Sequence, residues 1–122
     1  MTTTTERPPF DLSVTEHDGA KVFHLKGRLM DQQQADHLMQ VLDEHLTGEH
    51  VNVVLDMNEL QYMNSTGLNI MISVLTRIRK AGGDVMLASL SMGVRQLFIV
   101  TKLDTVFRIA ASVDEALAQL RA

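Results

Sequence analysis

Segments with helical periodicity alternate with short apolar runs along most of this 122-residue chain. The run at residues 51–55 has the composition of a strand buried on both faces of a sheet, and we expect it at the centre of that sheet. Helix-type segments precede and follow it, because apolar residues there recur every three or four positions. Such alternation predicts an α/β domain with a mostly parallel sheet, since parallel neighbours need a crossover helix between them.

Capping and turn residues place the element boundaries. Residues 10–15 alternate apolar and polar side chains, and the turn His17-Asp18-Gly19 joins them to residues 21–25 in an antiparallel hairpin. Two further strands are predicted at residues 84–89 and 105–109. Four helices are predicted, with Asp31, Ser91 and Ser112 as N-caps of the first, third and fourth. They cover residues 31–48, 65–81, 91–101 and 112–120.

The helix over residues 65–81 carries a wide apolar stripe, and we expect it to pack on the sheet through this stripe. The residues of the stripe are Leu68, Met71, Ile72, Leu75 and Ile78, widened by Ile70 and Val74. Cations in the last turn, followed by Gly82-Gly83, mark the end of this helix. In the next helix, the spacing of Val94 and Phe98 favours the core over an exposed patch.

Composition limits the classes of partner. The net charge is -4 and the basic residues are scattered, so we expect no nucleic acid, because affinity for phosphate backbones comes from clustered Lys and Arg. The chain has no cysteine, hence neither disulfides nor thiolate metal sites. No apolar run reaches the roughly 18 residues that span a bilayer, and we expect no direct membrane insertion.

The first nine residues differ in character from the remainder. They are polar and end in proline, and they lack the apolar region of a secretory signal. We expect residues 1–9 to be a disordered lead-in and residues 10–122 to form one domain, in a cytoplasmic protein.

Motifs for catalysis, metal binding and nucleotide binding are missing from the sequence. Its histidines include no pair with metal-site spacing, and we expect them to be solvated or capping residues: His17, His24, His37, His45 and His50. Neither glycine-rich phosphate motif, G-x-G-x-x-G or G-x-x-x-x-G-K-[ST], occurs. We therefore predict no enzyme activity, no metal and no cofactor.

Asp56 is a candidate phosphoacceptor. It follows residues 51–55 at the end of the predicted strand, where open α/β sheets place their functional sites. A phosphoaccepting aspartate would stand at this point, but its chemistry also needs Mg²⁺ and hence further carboxylates. The strand over residues 21–25 is followed instead by Lys26-Gly27-Arg28. A structural turn carboxylate is therefore the favoured interpretation of Asp56.

The stretch Asn64-Ser65-Thr66-Gly67 puts polar residues at the start of a strongly apolar helix. Capping explains one of them, which we take to be Ser65, but glycine inside a helix costs about 1 kcal/mol relative to alanine. Gly67 does let another backbone approach the start of the helix. Because helix N-termini stabilise anions, the fold would tolerate a phosphoryl group on Ser65. Its charge would repel a partner docked on the surrounding residues, Tyr62, Met63 and Leu68.

The segment LDMNELQYMNSTGLNIMISVLTRIRKAGGDVMLASLSMGVRQLFIVTKLDTVF resembles the core of STAS domains, specifically the anti-sigma factor antagonists of bacterial partner switching. The shared features, in order, are a strand, aromatic-Met-[Asp]-Ser-[Ser/Thr]-Gly-Leu, a helix, Gly-Gly, a strand and L-x-x-x-T-x-L-x-x-[VIL]-F. The resemblance runs from Phe10 to about Leu120. Asn64 stands where the closest members have Asp, and Arg28 where they have an acid.

The resemblance implies a single STAS domain whose phosphoacceptor is Ser65, with Thr66 as the second choice. It implies an anti-sigma factor with serine kinase activity as the partner, and a phosphatase that reverses the reaction. The implied partner surface comprises Met63, Asn64, Ser65, Thr66, Gly67 and Leu68. The alternative is a STAS subunit that docks a membrane transporter ATPase or a stress-sensing assembly without a phosphorylation cycle.

Overall fold

A computed structural model describes residues 10–17, 19–46 and 51–121. Its elements follow the predicted order, with a short 3₁₀ helix in addition. The strands are β1 (Phe10–His17), β2 (Ala20–Leu29), β3 (Val53–Met63), β4 (Val85–Ala88) and β5 (Arg108–Ala110). The α-helices are α1 (Gln32–His45), α2 (Ser65–Lys80), α3 (Met92–Val100) and α4 (Val113–Arg121).

The sheet has the strand order β1-β2-β3-β4-β5, so β3 lies at its centre, as predicted for residues 51–55. β1 and β2 form the predicted antiparallel hairpin, with Phe10 opposite Gly27. The remaining neighbours are parallel, and Val54 of β3 lies between Val22 of β2 and Met86 of β4. A helix connects each parallel pair, which confirms the α/β class.

Strand β3 is longer than predicted, because it continues beyond Leu55 to Met63. β2 accompanies it, and Leu29 pairs with Met63 after two register shifts. The pairing of β4 ends at Asp56, so Asp56 lies inside β3 and not in a turn after it. The polar residues that follow Leu55 suggested a loop, but they alternate with buried Met57 and Leu60 along the strand.

Other boundaries also differ from the prediction. β2 is Ala20–Leu29 and not residues 21–25, because it pairs with the extended β3, so Lys26-Gly27-Arg28 lie inside this strand and do not follow it. The last strand is Arg108–Ala110 and not residues 105–109, because Lys102, with φ 63°, turns the chain into a 3₁₀ helix at Leu103–Thr105. Helix α1 ends at His45 with Leu46 as its C-cap, before the predicted stop near Gly48. Gly48, Asp18 and residues 1–9 lie outside the described residues.

Helices cover the two faces of the sheet unequally. α1, α2 and α3 bury their apolar residues against one face, where Phe23, Leu55 and Phe98 belong to a single core cluster. On the other face, α4 packs against β3, β4 and β5 through Ala116 and Leu117. Helix α2 is therefore anchored in the larger core along most of its length.

The buried stripe of α2 differs from the prediction at one position. Ile72, which we expected to pack on the sheet, is 37% exposed, and that prediction is wrong. Helical residues are about 100° apart around the axis, and Ile72 falls at the border of a stripe centred on Met71. The buried residues of α2 are Gly67, Leu68, Ile70, Met71, Val74, Leu75 and Ile78. Val94 and Phe98 of α3 are buried, as their spacing indicated.

Candidate functional site

The N-terminus of α2 follows directly on the end of β3. Asn64 is the N-cap, with an extended backbone, and its side chain accepts a hydrogen bond from the Gly67 N–H at 3.0 Å. The prediction that Ser65 is the N-cap is therefore wrong, because the amide oxygen of Asn64 already occupies that role. Ser65 is the first helical residue, and its hydroxyl forms no hydrogen bond within the described residues.

Gly67 allows a close approach of the chain that leaves β2, as its place in the helix predicted. A Cβ at this position would collide with the backbone carbonyl oxygen of Leu29 and lie 2.8 Å from the Cβ of Met63. Next to this contact, the side-chain amide of Asn64 donates to the carbonyl oxygen of Met30 at 3.2 Å. The start of α2 is thus held against the segment that leads into α1.

The same segment is fixed from the other side by the first turn of α1. Asp31 accepts from the Gln34 N–H at 3.0 Å, and the Gln34 side chain accepts from the N–H groups of Asp31 and Met30, which completes the capping box. Met30 therefore bonds to α1 through its N–H and to α2 through its carbonyl oxygen. The N-termini of α1 and α2 therefore lie side by side at the carboxyl ends of β2 and β3.

The predicted site residues divide by exposure. Ser65 is exposed, and Asn64 and Thr66 are half-buried. Met63, Gly67 and Leu68 are buried, so we correct their expected place on the exposed surface: they support the start of α2 from below. The side chains of Met63 and Leu68 belong to the larger core cluster, because β3 and α2 both bury one face there.

Two large apolar side chains are exposed on the segments that meet at the Asn64 N-cap: Tyr62, at 51%, near the end of β3, and Met30, at 37%, whose carbonyl oxygen accepts from Asn64. Tyr62 is part of the motif and was expected here. Met30 was not predicted at this position, because it lies outside the motif and no periodicity signals a single exposed residue in a loop. The close approach predicted at Gly67 is the one signal that could have pointed to a neighbouring chain segment.

The electrostatic setting of Ser65 suits an anion. The first turn of α2 contains no acidic residue, and the N–H groups of Ser65 and Thr66 have no acceptor within the described residues. Unpaired N–H groups at the positive end of a helix dipole favour negative charge. Thr66, in contrast, lines a cavity of about 280 Å³ between α1 and α2, together with Met39 and Asn69.

Asp56 lies away from this site, on the face of the sheet that carries α4. Its carboxylate accepts from Nδ1 of His24 at 2.7 Å and from the Asn58 N–H at 3.1 Å, and the Thr15 hydroxyl lies 3.0 Å from Nε2 of His24. The structure thus gives Asp56 hydrogen-bond partners within the sheet, in agreement with a structural carboxylate. In the ranges that the structure covers, His, Asp and Glu form no group of three that could hold a metal ion.

No helix among the described residues combines the length and the apolar character that a membrane span requires.

The sequence profile of the STAS domain matches residues 11–116. The chain is also 27% identical to BtrV of Bordetella bronchiseptica (strain ATCC BAA-588 / NCTC 13252 / RB50), a protein named as an anti-sigma factor antagonist. That similarity extends over 110 residues, which are 90% of this chain and 94% of BtrV.

Solved structures share the fold. An anti-sigma factor antagonist from Mycobacterium paratuberculosis superposes with a TM-score of 0.79 at 24% identity, over 93% of this chain and 95% of that one. SpoIIAA in its unphosphorylated form superposes with a TM-score of 0.73 at 18% identity, over 91% of this chain and 96% of SpoIIAA. A sulfate transporter family protein from Wolinella succinogenes superposes with a TM-score of 0.72 at 20% identity, over 88% of each chain.

These structural likenesses establish the architecture, and one fold can serve several functions. The profile match spans most of the chain, from the first strand into the last helix. The protein therefore belongs to the STAS domain family.

Proposed function

We propose that this protein is an anti-sigma factor antagonist that binds an anti-sigma factor with serine kinase activity and is released by phosphorylation of Ser65. The similarity to BtrV over nearly the full length of both proteins supports the antagonist role. The observation that carries the choice of residue is the exposed Ser65 hydroxyl, which has no hydrogen bond within the described residues and begins a helix with two unpaired N–H groups.

In this proposal the kinase supplies the catalytic groups and this chain supplies the acceptor. The Ser65 oxygen attacks the γ-phosphorus of ATP, the bond from that phosphorus to ADP breaks, and the hydroxyl proton leaves to a base of the kinase. A cytoplasmic phosphatase hydrolyses the phosphoserine and restores the hydroxyl. The STAS domain itself needs neither a cofactor nor catalytic side chains for this cycle.

Phosphorylation at Ser65 is compatible with the fold. The serine is the first helical residue, and among the described residues its hydroxyl has no hydrogen-bond partner that a phosphoryl group would displace. The N–H groups of Ser65 and Thr66, which have no acceptor in the described part of the chain, can donate to phosphate oxygens, and the helix dipole stabilises the added charge. The phosphorylated domain should therefore keep the same structure.

Phosphorylation of Ser65 should weaken the complex with the kinase. Tyr62, three residues before the serine, and Met30, bonded through its carbonyl oxygen to Asn64, expose apolar surface, and we expect a partner that covers both to cover the serine as well. Phosphorylation brings about -1.5 to -2 charges into that contact, where the cost of desolvating them opposes binding. Loss of one central contact typically costs about 2 kcal/mol or more, which is a factor of roughly 30 in affinity.

Ser65 is a better acceptor than Thr66 for a structural reason. Thr66 is half-buried and faces the cavity between α1 and α2, whereas Ser65 is exposed at the end of the helix. A kinase must align the acceptor oxygen with the γ-phosphorus, which requires free access to the hydroxyl. We therefore assign the modification to Ser65.

The test uses the anti-sigma factor kinase encoded in the same genome, purified and incubated with ATP and this protein. We expect phosphopeptide mapping to place the phosphate on Ser65, Ser65→Ala to bind the kinase without release, and Ser65→Asp to bind about 30-fold more weakly or worse. Phosphate on Thr66, or unweakened binding of Ser65→Asp, would contradict the mechanism. A stable complex with a transporter ATPase that ignores Ser65→Asp would support the alternative function.

A further inference from the structure

The face of the sheet that carries α4 presents polar side chains along its first strand. Leu12 and Val14 of β1 pack with the larger core cluster, so the residues that alternate with them point to the opposite face. Those residues, Ser13, Thr15 and His17, are exposed, whereas α4 packs against β3, β4 and β5. A row of polar groups is therefore accessible on β1, on the face away from α2.

Two histidines on this face meet at one hydroxyl group. Nε2 of His17 lies 3.1 Å from Oγ1 of Thr15, and Nε2 of His24 lies 3.0 Å from the same oxygen. The register of the hairpin explains this arrangement. Ser13 is opposite His24 and Thr15 is opposite Val22, so Thr15 and His24 are diagonal neighbours on one face of the sheet.

Asp56 of β3 fixes the orientation of the His24 ring. One carboxylate oxygen lies 2.7 Å from Nδ1 of His24, and the other accepts from the Asn58 N–H at 3.1 Å. An ionised carboxylate can only accept, so Nδ1 carries a proton, and in the neutral ring Nε2 keeps its lone pair. That lone pair is directed at the Thr15 hydroxyl, which also contacts His17.

This arrangement of His24 is typical of a metal ligand. Histidines that bind metals usually donate their other ring N–H to a carboxylate or carbonyl oxygen, which fixes the ring and makes the free nitrogen more basic. Imidazole nitrogen suits Zn²⁺, Cu²⁺ and Ni²⁺, whereas Mg²⁺ prefers oxygen. The nearby cation Lys26 is 3.3 Å from a carboxylate oxygen of Glu59, so its charge is compensated and opposes an approaching metal ion less.

We propose that His17 and His24 bind one divalent metal ion of the zinc and copper class through their Nε2 atoms, and that Asp56 is the positioning residue behind His24. The ion replaces the hydrogen bonds that now run through the Thr15 hydroxyl, and it links β1 to β2. Structural zinc sites use four protein ligands. With two protein nitrogens, this site leaves the other positions to water and holds an exchangeable ion.

The spacing of the histidines in the sequence did not indicate this pair, and we expected solvated or capping residues. His17 and His24 are seven positions apart, which matches no metal-binding motif, and the hairpin register brings them to one hydroxyl group. The other histidines that the structure describes, His37 and His45, are on α1, which packs on the opposite face of the sheet. The proposal is independent of the function proposed above.

The test titrates untagged protein with metal ions in a calorimeter, because a histidine tag would bind the same ions. We expect the wild type to bind a single Zn²⁺ or Cu²⁺ ion and not to bind Mg²⁺. His17→Ala and His24→Ala should each weaken Zn²⁺ binding about tenfold or more, and the double variant should bind no more weakly than the weaker single variant, since both ligands hold one ion. His37→Ala, which removes an exposed histidine on α1, is the matched control and should change the affinity less than about twofold.

Asp56→Asn tests the positioning role. Asparagine keeps a side-chain oxygen for His24 but loses the charge, so Zn²⁺ affinity should fall about tenfold or more. In thermal melting, Zn²⁺ should raise the Tm of the wild type, because an ion that binds the folded state stabilises it, and should leave the Tm of His17→Ala unchanged. His17 is exposed, so this variant decides the matter if His24→Ala does not fold.

Two results would overturn the metal site. The first is a wild type that binds neither Zn²⁺ nor Cu²⁺, or variants of His17 and His24 that bind Zn²⁺ as tightly as the wild type. The second is an equal loss of affinity in His37→Ala, which would mean that the ion binds exposed histidines one at a time. Neither result affects the function proposed for Ser65, because its test with the kinase requires no Zn²⁺ or Cu²⁺.

Discussion

The side-chain amide of Asn64 donates to the carbonyl oxygen of Met30 at 3.2 Å while its oxygen accepts from the N–H of Gly67. An aspartate could keep the second bond but not the first, since a carboxylate has no N–H to donate. Asparagine at this position thus has a structural reason: it joins the segment before α1 to the first turn of α2.

Substitution of Asn64 should reveal the two bonds separately. Asn64→Asp loses one hydrogen bond, worth about 0.5 to 1.5 kcal/mol, but gains about 0.3 to 1 kcal/mol from negative charge at the helix N-terminus. We expect it to stay within about 1 kcal/mol of wild type in urea unfolding. Asn64→Ala loses both bonds and should cost about 1 to 2 kcal/mol. A larger loss for the aspartate than for the alanine would show that the cap contributes little.

Gly67→Ala should destabilise the protein although alanine is the better helix former. The added Cβ would collide with the Leu29 carbonyl and lie 2.8 Å from Met63, and overpacking of this kind costs about 1 to 3 kcal/mol. The propensity gain of about 1 kcal/mol does not offset it fully. Gly93→Ala is the control, because a Cβ at Gly93 on α3 would have no described atom within 4 Å. Equal stability changes for both variants would exclude the steric explanation.

The buried stripe of α2 can be checked with a pair of truncations. Leu75 is 5% exposed, and Leu75→Ala should cost about 2 to 5 kcal/mol of unfolding free energy. Ile72→Ala, at the border of the stripe, should cost less than half as much. Chemical denaturation of both variants measures the difference. A loss below about 0.5 kcal/mol for Leu75→Ala would mean that this side of the helix is not in the core.

Asp56 should matter for stability and not for signalling. Asp56→Ala removes the acceptor for His24 and for the Asn58 N–H, and unmet hydrogen bonds of partly buried groups cost about 1 to 3 kcal/mol. We expect a lower melting temperature and an unchanged extent of Ser65 phosphorylation. Conversely, phosphorylation that survives Ser65→Ala and disappears with Asp56→Ala would restore the phosphoaspartate interpretation.

Local signals in the sequence predicted the parts of the fold that depend on neighbouring residues. Asp31, Ser91 and Ser112 each accept from an N–H in the first turn of the helix they were predicted to cap. Donor and acceptor of each bond are three residues apart, so a short stretch of sequence is enough to recognise both. The alternation of strands and helices was enough to predict a mostly parallel sheet, because parallel neighbours require a crossover connection.

Long-range contacts explain what the sequence could not predict. The extension of β3 depends on β2, which pairs with it as far as Met63, and the polar residues there concealed the strand. The place of Met30 beside Ser65 depends on hydrogen bonds to Gln34 on one side and Asn64 on the other. The bond to Gln34 is local and belongs to the capping box of α1, whereas the bond to Asn64 joins residues 34 positions apart, and no local pattern in the sequence indicates it.

The strand order β1-β2-β3-β4-β5 has a consequence for how the chain folds. Each strand pairs with the strand next to it in sequence, so each pair can form once its own two strands and the connection between them are present. The bond between Asn64 and Met30 requires only β2, α1, β3 and the start of α2. During synthesis the N-terminal part of a chain leaves the ribosome first. The start of α2, with Ser65, can therefore reach its place beside the segment before α1 while α3 and α4 are still inside the ribosome.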